Sequence, residues 1–388
     1  MSKSFTLVLS VLCGTILIAC NGGGGGSSNG NSSFAMEPIP PNPVQPVGTY
    51  NGLAYSALGQ PPGLTTAYPD TFWPNGLLSL QIAYGNNSES SIANLTAYVR
   101  MGGHLCSATP VKYDSVRNTT FLIGAAHCFV EYKDSATTLT SVNLSPTSDL
   151  NIYHGVYAES STQRTPYVVE AVYLRQDYCY NATFVVDDQC PNFSPSYGVA
   201  NGQGNDIAVI QIQGHYANLP AESYPQVVPS SEYPTPYTAA PVLSIGYGIN
   251  TQSQNSAAEC SNSLEPCGTM FYTANYQYWQ QDTTGYHYLY NNFYNNGGLG
   301  GAYGYSALIC GGDSGGGDLF WTGTKWILLS EHTYGPGGAC GTFYSYLPNG
   351  STNVSSYYDW IMPILNSTDP ISDCKNSTNG VTTCVTNG

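Results

Sequence analysis

Three short segments, far apart in this chain, hold residue types that together perform nucleophilic chemistry. The first is Cys310-Gly311-Gly312-Asp313-Ser314-Gly315-Gly316-Gly317. A serine hydroxyl attacks a carbonyl effectively only when a base removes its proton and donors await the oxyanion. Glycines around Ser314 let the backbone turn sharply, and the amides of Gly312 and Ser314 are spaced to converge on one point. A plain glycine-rich turn is the bland alternative in a chain with 43 glycines. The run Gly-Asp-Ser-Gly-Gly is too specific for that reading to lead.

The base must come from another element. Phe121-Leu122-Ile123-Gly124-Ala125-Ala126-His127-Cys128 reads as an apolar strand entering a turn of small residues, with His127 at its end. The remaining histidines lack such a setting, and His154, His215, His287 and His332 read as surface or structural residues. A third group, a carboxylate, has to fix the imidazole tautomer and stabilise the imidazolium. Asn205-Asp206-Ile207-Ala208-Val209-Ile210-Gln211-Ile212 offers an Asp at the start of a buried strand. Alone that is a common strand opening; its place between His127 and Ser314 gives it weight.

These three segments, in this order, resemble the signature motifs of the chymotrypsin-like serine peptidases. The order His, Asp, Ser separates them from the subtilisin and α/β-hydrolase arrangements. The resemblance covers residues 89–366 and implies an all-β fold of two six-stranded antiparallel β-barrels with a short C-terminal helix. It assigns Ser314 as the acyl-forming nucleophile, His127 as general base and then acid, and Asp206 as the orienting carboxylate. The amides of Gly312 and Ser314 become the oxyanion hole. Ser330 resembles the family serine that supports the buried Asp ahead of the substrate-pairing strand. Cys106 with Cys128 matches the family disulfide beside the histidine, and Cys310 with Cys340 the one framing the specificity pocket. No metal or organic cofactor is implied.

Several positions depart from the family. Gly317 stands where proline is usual. The stretch from His127 to Asp206 is longer than usual and contains Cys179 and Cys190, expected to pair with each other. Asp313 would receive an α-amine freed by activation cleavage, yet no basic residue precedes a suitable Ile or Val upstream of Cys106. Either processing follows another specificity, or Asp313 is satisfied internally. Leu308 falls at the base of the family's pocket. A cation there would be buried without a partner, at high cost, so an apolar or aromatic P1 residue is expected.

Composition points to export. Only 9% of residues are charged, against roughly a quarter in an ordinary soluble domain, while Tyr fills 33 positions. The net charge of −15 with nine Lys and Arg excludes nucleic acid as a partner, since phosphate binding needs clustered cations. Lys3 and the apolar run Phe5 to Ile18 form a signal too short to span a bilayer comfortably. Leu17-Ile18-Ala19-Cys20 resembles the bacterial lipoprotein signal, with Cys20 the lipidated mature N-terminus. Asn21 after it resembles lipoproteins sorted to the outer membrane, facing the periplasm or the cell surface. The chain has twelve cysteines. Without Cys13 and Cys20 they form an even set, which in an exported chain reads as disulfides rather than metal ligands. Cys260 with Cys267 and Cys374 with Cys384 are the simplest remaining pairs.

The elements that must position the three side chains follow from the pattern. Residues 1–20 are the signal, and 21–48 a Gly/Ser tether passing into proline-rich linker. Residues 49–88 form a pro-segment or an N-terminal extension packed on the next domain. Over 89–366 short apolar runs alternate with Gly, Pro and Asn turns, as in an all-β barrel or sandwich. Ser356 and Asp359 suggest a capping box for a helix presenting Tyr357, Trp360, Ile361 and Ile364, with Pro363 inside it. A tail with a disulfide follows over 367–388. The function expected is a monomeric, lipid-anchored endopeptidase acting on protein or peptide substrates, its membrane contact made through the anchor alone. A catalytically silent binding protein on the same scaffold and an esterase using the same triad are the rival readings.

Overall fold

The computed structural model describes residues 48–59, 61, 81–82, 92–101, 104–129, 131–132, 142–143, 150–155, 165–175, 206–235, 240–248, 270–281, 287–291, 311–334, 349–370, 376–378 and 381–386. Cys20, Cys179, Cys190, Cys260, Cys267, Leu308, Cys310, Cys340 and Cys374 lie outside them. The described chain is mostly strand with one short helix. A hairpin of β1 (Thr49–Tyr50) and β2 (Leu53–Ala54) precedes β3 (Gln81–Ile82). Next come β4 (Ala97–Met101), β5 (His104–Asp114) and β6 (Thr119–Gly124). The short pair β7 (Glu131–Tyr132) and β8 (Val142–Asn143) leads to β9 (Leu150–Tyr153), β10 (Val169–Arg175) and β11 (Ala208–Gln213). The second half holds β12 (Ala240–Gly246), β13 (Phe271–Gln281) and β14 (His287–Asn291). It continues with β15 (Gly317–Trp321), β16 (Trp326–Tyr334), β17 (Asn349–Asn353) and α1 (Tyr358–Asn366). A last hairpin is β18 (Asn376–Thr378) with β19 (Val381–Thr386).

Two sheets result. The first runs β18-β19-β10-β11-β6-β5-β4-β9. The second is curled: pairing passes from β12 through β15, β16, β17, β14 and β13 and returns to β12, with β3 on the outer edge of β13. Strand β5 serves two neighbours in succession, His104 to Ala108 against β4 and Thr109 to Asp114 against β6. Its register shifts between Pro110 and Lys112, where proline cannot donate to the ladder. The β5–β6 turn is set locally. Asp114 Oδ1 accepts from the amides of Val116 and Arg117 at 2.9 and 3.1 Å, and its Oδ2 holds the Arg117 guanidinium at 2.7 Å. Asn118 then takes φ +53°, a left-handed conformation asparagine tolerates better than most residues.

The continuous apolar runs have a simple cause: the central strands β6, β10 and β11 of the first sheet are buried on both faces. On β6, Phe121 and Ile123 face one core while Leu122 faces another. On β10, Ala171 and Tyr173 divide from Val172 and Leu174 in the same way. Alternation therefore separates two apolar cores rather than core from water. Several tyrosines fit this interior because their buried hydroxyls reach an acceptor. Tyr233 donates to the Leu329 carbonyl at 2.6 Å and Tyr247 to the Gly155 carbonyl at 2.9 Å, and Tyr216 donates to the Thr96 carbonyl.

The first and last described segments are part of the fold. Thr49 and Thr235 exchange backbone hydrogen bonds of 2.9 Å each way. Tyr50 and Tyr55 meet the Phe320 ring at centroid distances of 5.5 and 5.6 Å. The described part of the 49–88 segment is thus packed on the second sheet. Strand β19 pairs in parallel with β10, and Cys384 on it is fully buried and disulfide-bonded; its sulfur partner lies outside the described residues.

Helix α1 forms, but not with the expected cap. Ser356 and Asp359 are exposed, Tyr357 makes no side-chain cap, and a 3₁₀ turn over Val354–Tyr357 precedes the helix. Asn353 caps that turn through the Ser355 amide at 3.1 Å. The turn absorbs the residues that the sequence pattern assigns to the first helical turn. Trp360, Ile361, Ile364 and Leu365 are buried. At the other end Lys112 Nζ donates to the Leu365 carbonyl at 2.6 Å, tying α1 to β5. No helix among the described residues is long and apolar enough to cross a membrane.

Candidate active site

His127 lies in a single 3₁₀ turn, Ala126–Phe129, that closes β6. Ala125 and Ala126 are completely buried, so larger side chains would push the turn away from the core. A disulfide joins Cys128 to Cys106 on β5, with Cα atoms 6.3 Å apart. The same turn docks onto Asp206, which immediately precedes Ile207 and β11. Strand β11 lies beside β6 with Ala208 opposite Gly124, so one register brings both side chains to the same end of the sheet.

Asp206 is fully buried and uses both oxygens on residue 127. Its Oδ1 accepts from the His127 amide at 2.8 Å and its Oδ2 lies 2.7 Å from His127 Nδ1. An ionised carboxylate only accepts, so Nδ1 carries a proton, and in the neutral ring Nε2 carries the lone pair. Nε2 is buried and makes no hydrogen bond among the described residues.

Ser314 sits in the turn before β15, with 6% of its surface exposed. This turn is pinned to the His127 side of the molecule. The Ser107 amide on β5 donates to the Ser314 carbonyl at 2.8 Å, and Ser107 Oγ donates to the Gly312 carbonyl at 2.8 Å. Cys128 Sγ lies 3.8 Å from the Ser314 carbonyl oxygen. Gly315 has φ +82°, and a Cβ there would meet the Ser107 carbonyl oxygen at 2.3 Å and the Ala125 nitrogen at 2.8 Å. Only glycine permits so close an approach. No hydrogen bond joins Ser314 Oγ to His127 Nε2; the turns are in contact while these two atoms are not bonded.

The amides of this turn divide into two sets. Gly315 donates to the His332 carbonyl at 2.7 Å and Gly316 to the Asp313 carbonyl at 2.8 Å. The amides of Gly312 and Ser314 donate to no acceptor among the described residues, and Gly312 has φ +101°. Two unengaged N–H groups beside a serine are what an oxyanion needs. Asp313 turns the other way and accepts from the Gly248 amide at 2.7 Å. A Cβ at Gly246 or Gly248 would strike its carboxylate at 2.2 or 2.3 Å. The carboxylate thus has an internal partner in the β12 turn.

Ser330 supports a different carboxylate from the one expected. Its Oγ donates to Asp318 Oδ2 at 2.7 Å, because β16 pairs with β15 with Ser330 opposite Asp318. Asp318 also accepts from Ser244 Oγ on β12 and faces His332 Nε2 at 3.0 Å. Near Asp206 stands a chain of groups that the sequence does not announce. Thr352 Oγ1 donates to the Asp206 carbonyl at 3.2 Å and lies 2.6 Å from Thr333 Oγ1, which donates to Glu331 Oε1 at 3.2 Å. Glu331 is completely buried, and burial first, then the charges of Asp206 and Asp318, holds its carboxyl well above the usual range. Both causes favour its neutral form. None of Ser107, Glu331, Thr333 and Thr352 sits in a motif; β-pairing alone brings them here.

Cys106, His127 and Cys128 bring potential metal-ligand atoms within 4.8 Å of one another. Both sulfurs are oxidised in one disulfide, so the trio has no thiolate to offer a metal. The expected pairs Cys310 with Cys340, Cys179 with Cys190, Cys260 with Cys267, and the pocket residue Leu308, lie outside the described residues. No protein-family model matches this chain, and a search of curated proteins finds no match.

Proposed function

We propose that this chain is a chymotrypsin-type serine endopeptidase with His127, Asp206 and Ser314 as its catalytic triad. The observation that carries the reading is the buried His127–Asp206 pair, which leaves Nε2 as an unengaged base at the turn touching Ser314. In this reading Ser314 Oγ attacks the scissile carbonyl as its proton passes to His127 Nε2. Asp206 stabilises the imidazolium, and the amides of Gly312 and Ser314 receive the oxyanion. Collapse of the tetrahedral intermediate expels the amine, which takes its proton from His127. Water then attacks the acyl-enzyme by the same route in reverse.

The reading extends to architecture. It takes the curled second sheet as one six-stranded barrel, supported by the β12–β13 pairing, and the first sheet as the other, supported by the Ile152–Tyr167 bridge ahead of β10. It extends also to location: a lipoprotein signal with Cys20 lipidated, export to the outer membrane, and protein or peptide substrates met by a monomer. The bond from Gly248 to Asp313 favours an enzyme that needs no freed α-amine at that carboxylate.

A fluorophosphonate probe tests the reading. Labelling of wild type that disappears in Ser314→Ala is expected, together with cleavage of casein. Absence of labelling defeats the triad, and hydrolysis of short acyl esters without casein cleavage makes the enzyme an esterase.

A further inference from the structure

Buried against the Ser314 turn is a second histidine that the triad chemistry does not use. His332 on β16 is 2% exposed, and its ring touches an oxygen at each nitrogen. Nε2 lies 3.0 Å from Asp318 Oδ1 and Nδ1 lies 3.3 Å from the Asp313 carbonyl oxygen. Its backbone grips the same turn: the His332 carbonyl accepts from Gly315 at 2.7 Å, and its amide donates to the Gly316 carbonyl at 2.8 Å. A Cβ on Gly316 would lie 3.0 Å from His332 Nδ1, so glycine there admits the ring.

The Asp313 carbonyl and the Ser314 amide belong to one peptide unit. In a trans peptide the C=O and N–H point in opposite directions. Whatever holds the Asp313 oxygen towards His332 therefore turns the Ser314 N–H away from it, free of any acceptor among the described residues. We propose that His332, as an imidazolium, is a positioning residue that holds the Asp313–Ser314 peptide so that the Ser314 amide serves the oxyanion. The proposal rests on the peptidase reading above.

Proton accounting supports the charge. Asp318 faces Ser244, Ser330 and His332, three donors around one carboxylate, which is the environment of an ionised acid. Facing oxygen at both ring nitrogens, His332 satisfies both only when each carries a proton. A neutral ring would turn a lone pair against one of them. Burial pulls the His332 pKa down, but the charge and hydrogen bond of Asp318 and the charge of Asp313 carry it above the ordinary histidine value. The groups around it are Asp318 from β15, Asp313 from the turn, Ser244 from β12, Ser351 opposite on β17, and Glu331 beside it on β16, whose burial disfavours its charged form. The cation is present below this raised pKa and lost as pH rises through it.

Histidine-selective ¹⁵N NMR of the whole protein and the pH profile of kcat/KM test the proposal together, with His332→Gln as the variant. Expected are two protonated ring nitrogens at His332 at pH values where an ordinary histidine is neutral, and an alkaline fall in wild-type kcat/KM that tracks their loss. In His332→Gln that limb flattens and kcat falls about tenfold with KM little changed, less than the ~10²–10³ expected for removing an oxyanion donor outright. A neutral His332 ring at pH 6 overturns the proposal without any variant. So does a folded His332→Gln enzyme that keeps the wild-type kcat and alkaline limb. Wild type that no fluorophosphonate labels defeats the peptidase reading and this proposal with it; labelled wild type with an indifferent His332→Gln defeats the proposal alone.

Discussion

The Asp206 carboxylate binds residue 127 twice, through the His127 amide at 2.8 Å and through Nδ1 at 2.7 Å. The first bond fixes which oxygen faces the ring, so backbone and tautomer are set by one side chain.

That arrangement gives a sharp expectation for Asp206→Asn. The His127 amide claims the side-chain oxygen, which leaves the amide nitrogen facing Nδ1. Nδ1 must then accept, Nε2 carries the proton, and the base is lost. We expect kcat to fall by about 10⁴, with a thermal midpoint near that of wild type. Steady-state kinetics on a peptide substrate and calorimetry measure the two. A fall of under tenfold would contradict the assignment of Asp206.

Gly315→Ala strains the backbone at φ +82° and sets a Cβ into the Ser107 carbonyl and the Ala125 nitrogen. Both obstacles are main chain and cannot swing aside. A stability loss of roughly 2–4 kcal/mol is expected from such combined strain and overpacking, with fluorophosphonate labelling abolished. Urea unfolding reports the first and gel fluorescence the second.

Ser107→Ala removes the hydroxyl that donates to the Gly312 carbonyl and accepts from the Tyr247 amide at 2.9 Å. Two buried backbone groups lose their partner, at about 1–3 kcal/mol each. Because one of them belongs to the turn that carries the proposed oxyanion amides, kcat should fall more than KM rises. Equal kcat with a lower denaturation midpoint would make Ser107 purely structural.

Reducing the Cys106–Cys128 bridge, or replacing both cysteines by Ala, frees a loop with sequence separation 22. Chain-entropy reasoning puts the loss at about 3 kcal/mol. Calorimetry with and without reductant should show a lower midpoint for the reduced protein.

Glu331→Gln should behave differently at different pH. An acid whose folded pKa lies above its unfolded value binds more protons when folded. Stability then declines as pH rises from the unfolded pKa towards the folded one. Gln keeps the shape and cannot ionise, so the variant should gain stability relative to wild type between pH 4 and pH 7. Unfolding curves at both values decide it, and a constant difference would show that Glu331 does not titrate this way.

How far the sequence reached depends on whether the information is local. Ala125-Ala126-His127-Cys128, Asp206 before an apolar strand and the glycine-rich run around Ser314 are local, because a turn needs small residues and a strand needs apolar ones. The core of α1 was readable for the same reason. Its start was not, since Asn353 caps a 3₁₀ turn that sequence periodicity cannot separate from helix. Ser330 shows the other limit. Which carboxylate it meets depends on the β15–β16 register, and that is fixed by packing between distant strands.

The chain's order of residues alone pointed to the serine, histidine and aspartate of the proposed triad, the mostly-strand character and the small-residue turns that hold them. Only the tertiary structure decided that Asp206 grips both the amide and ring of His127, that Ser107 latches the Ser314 turn, and that His332 and Glu331 lie buried close to them. The reason is physical: these contacts join segments whose sequence separations reach 205 residues, and strand pairing brings them together without leaving a local pattern.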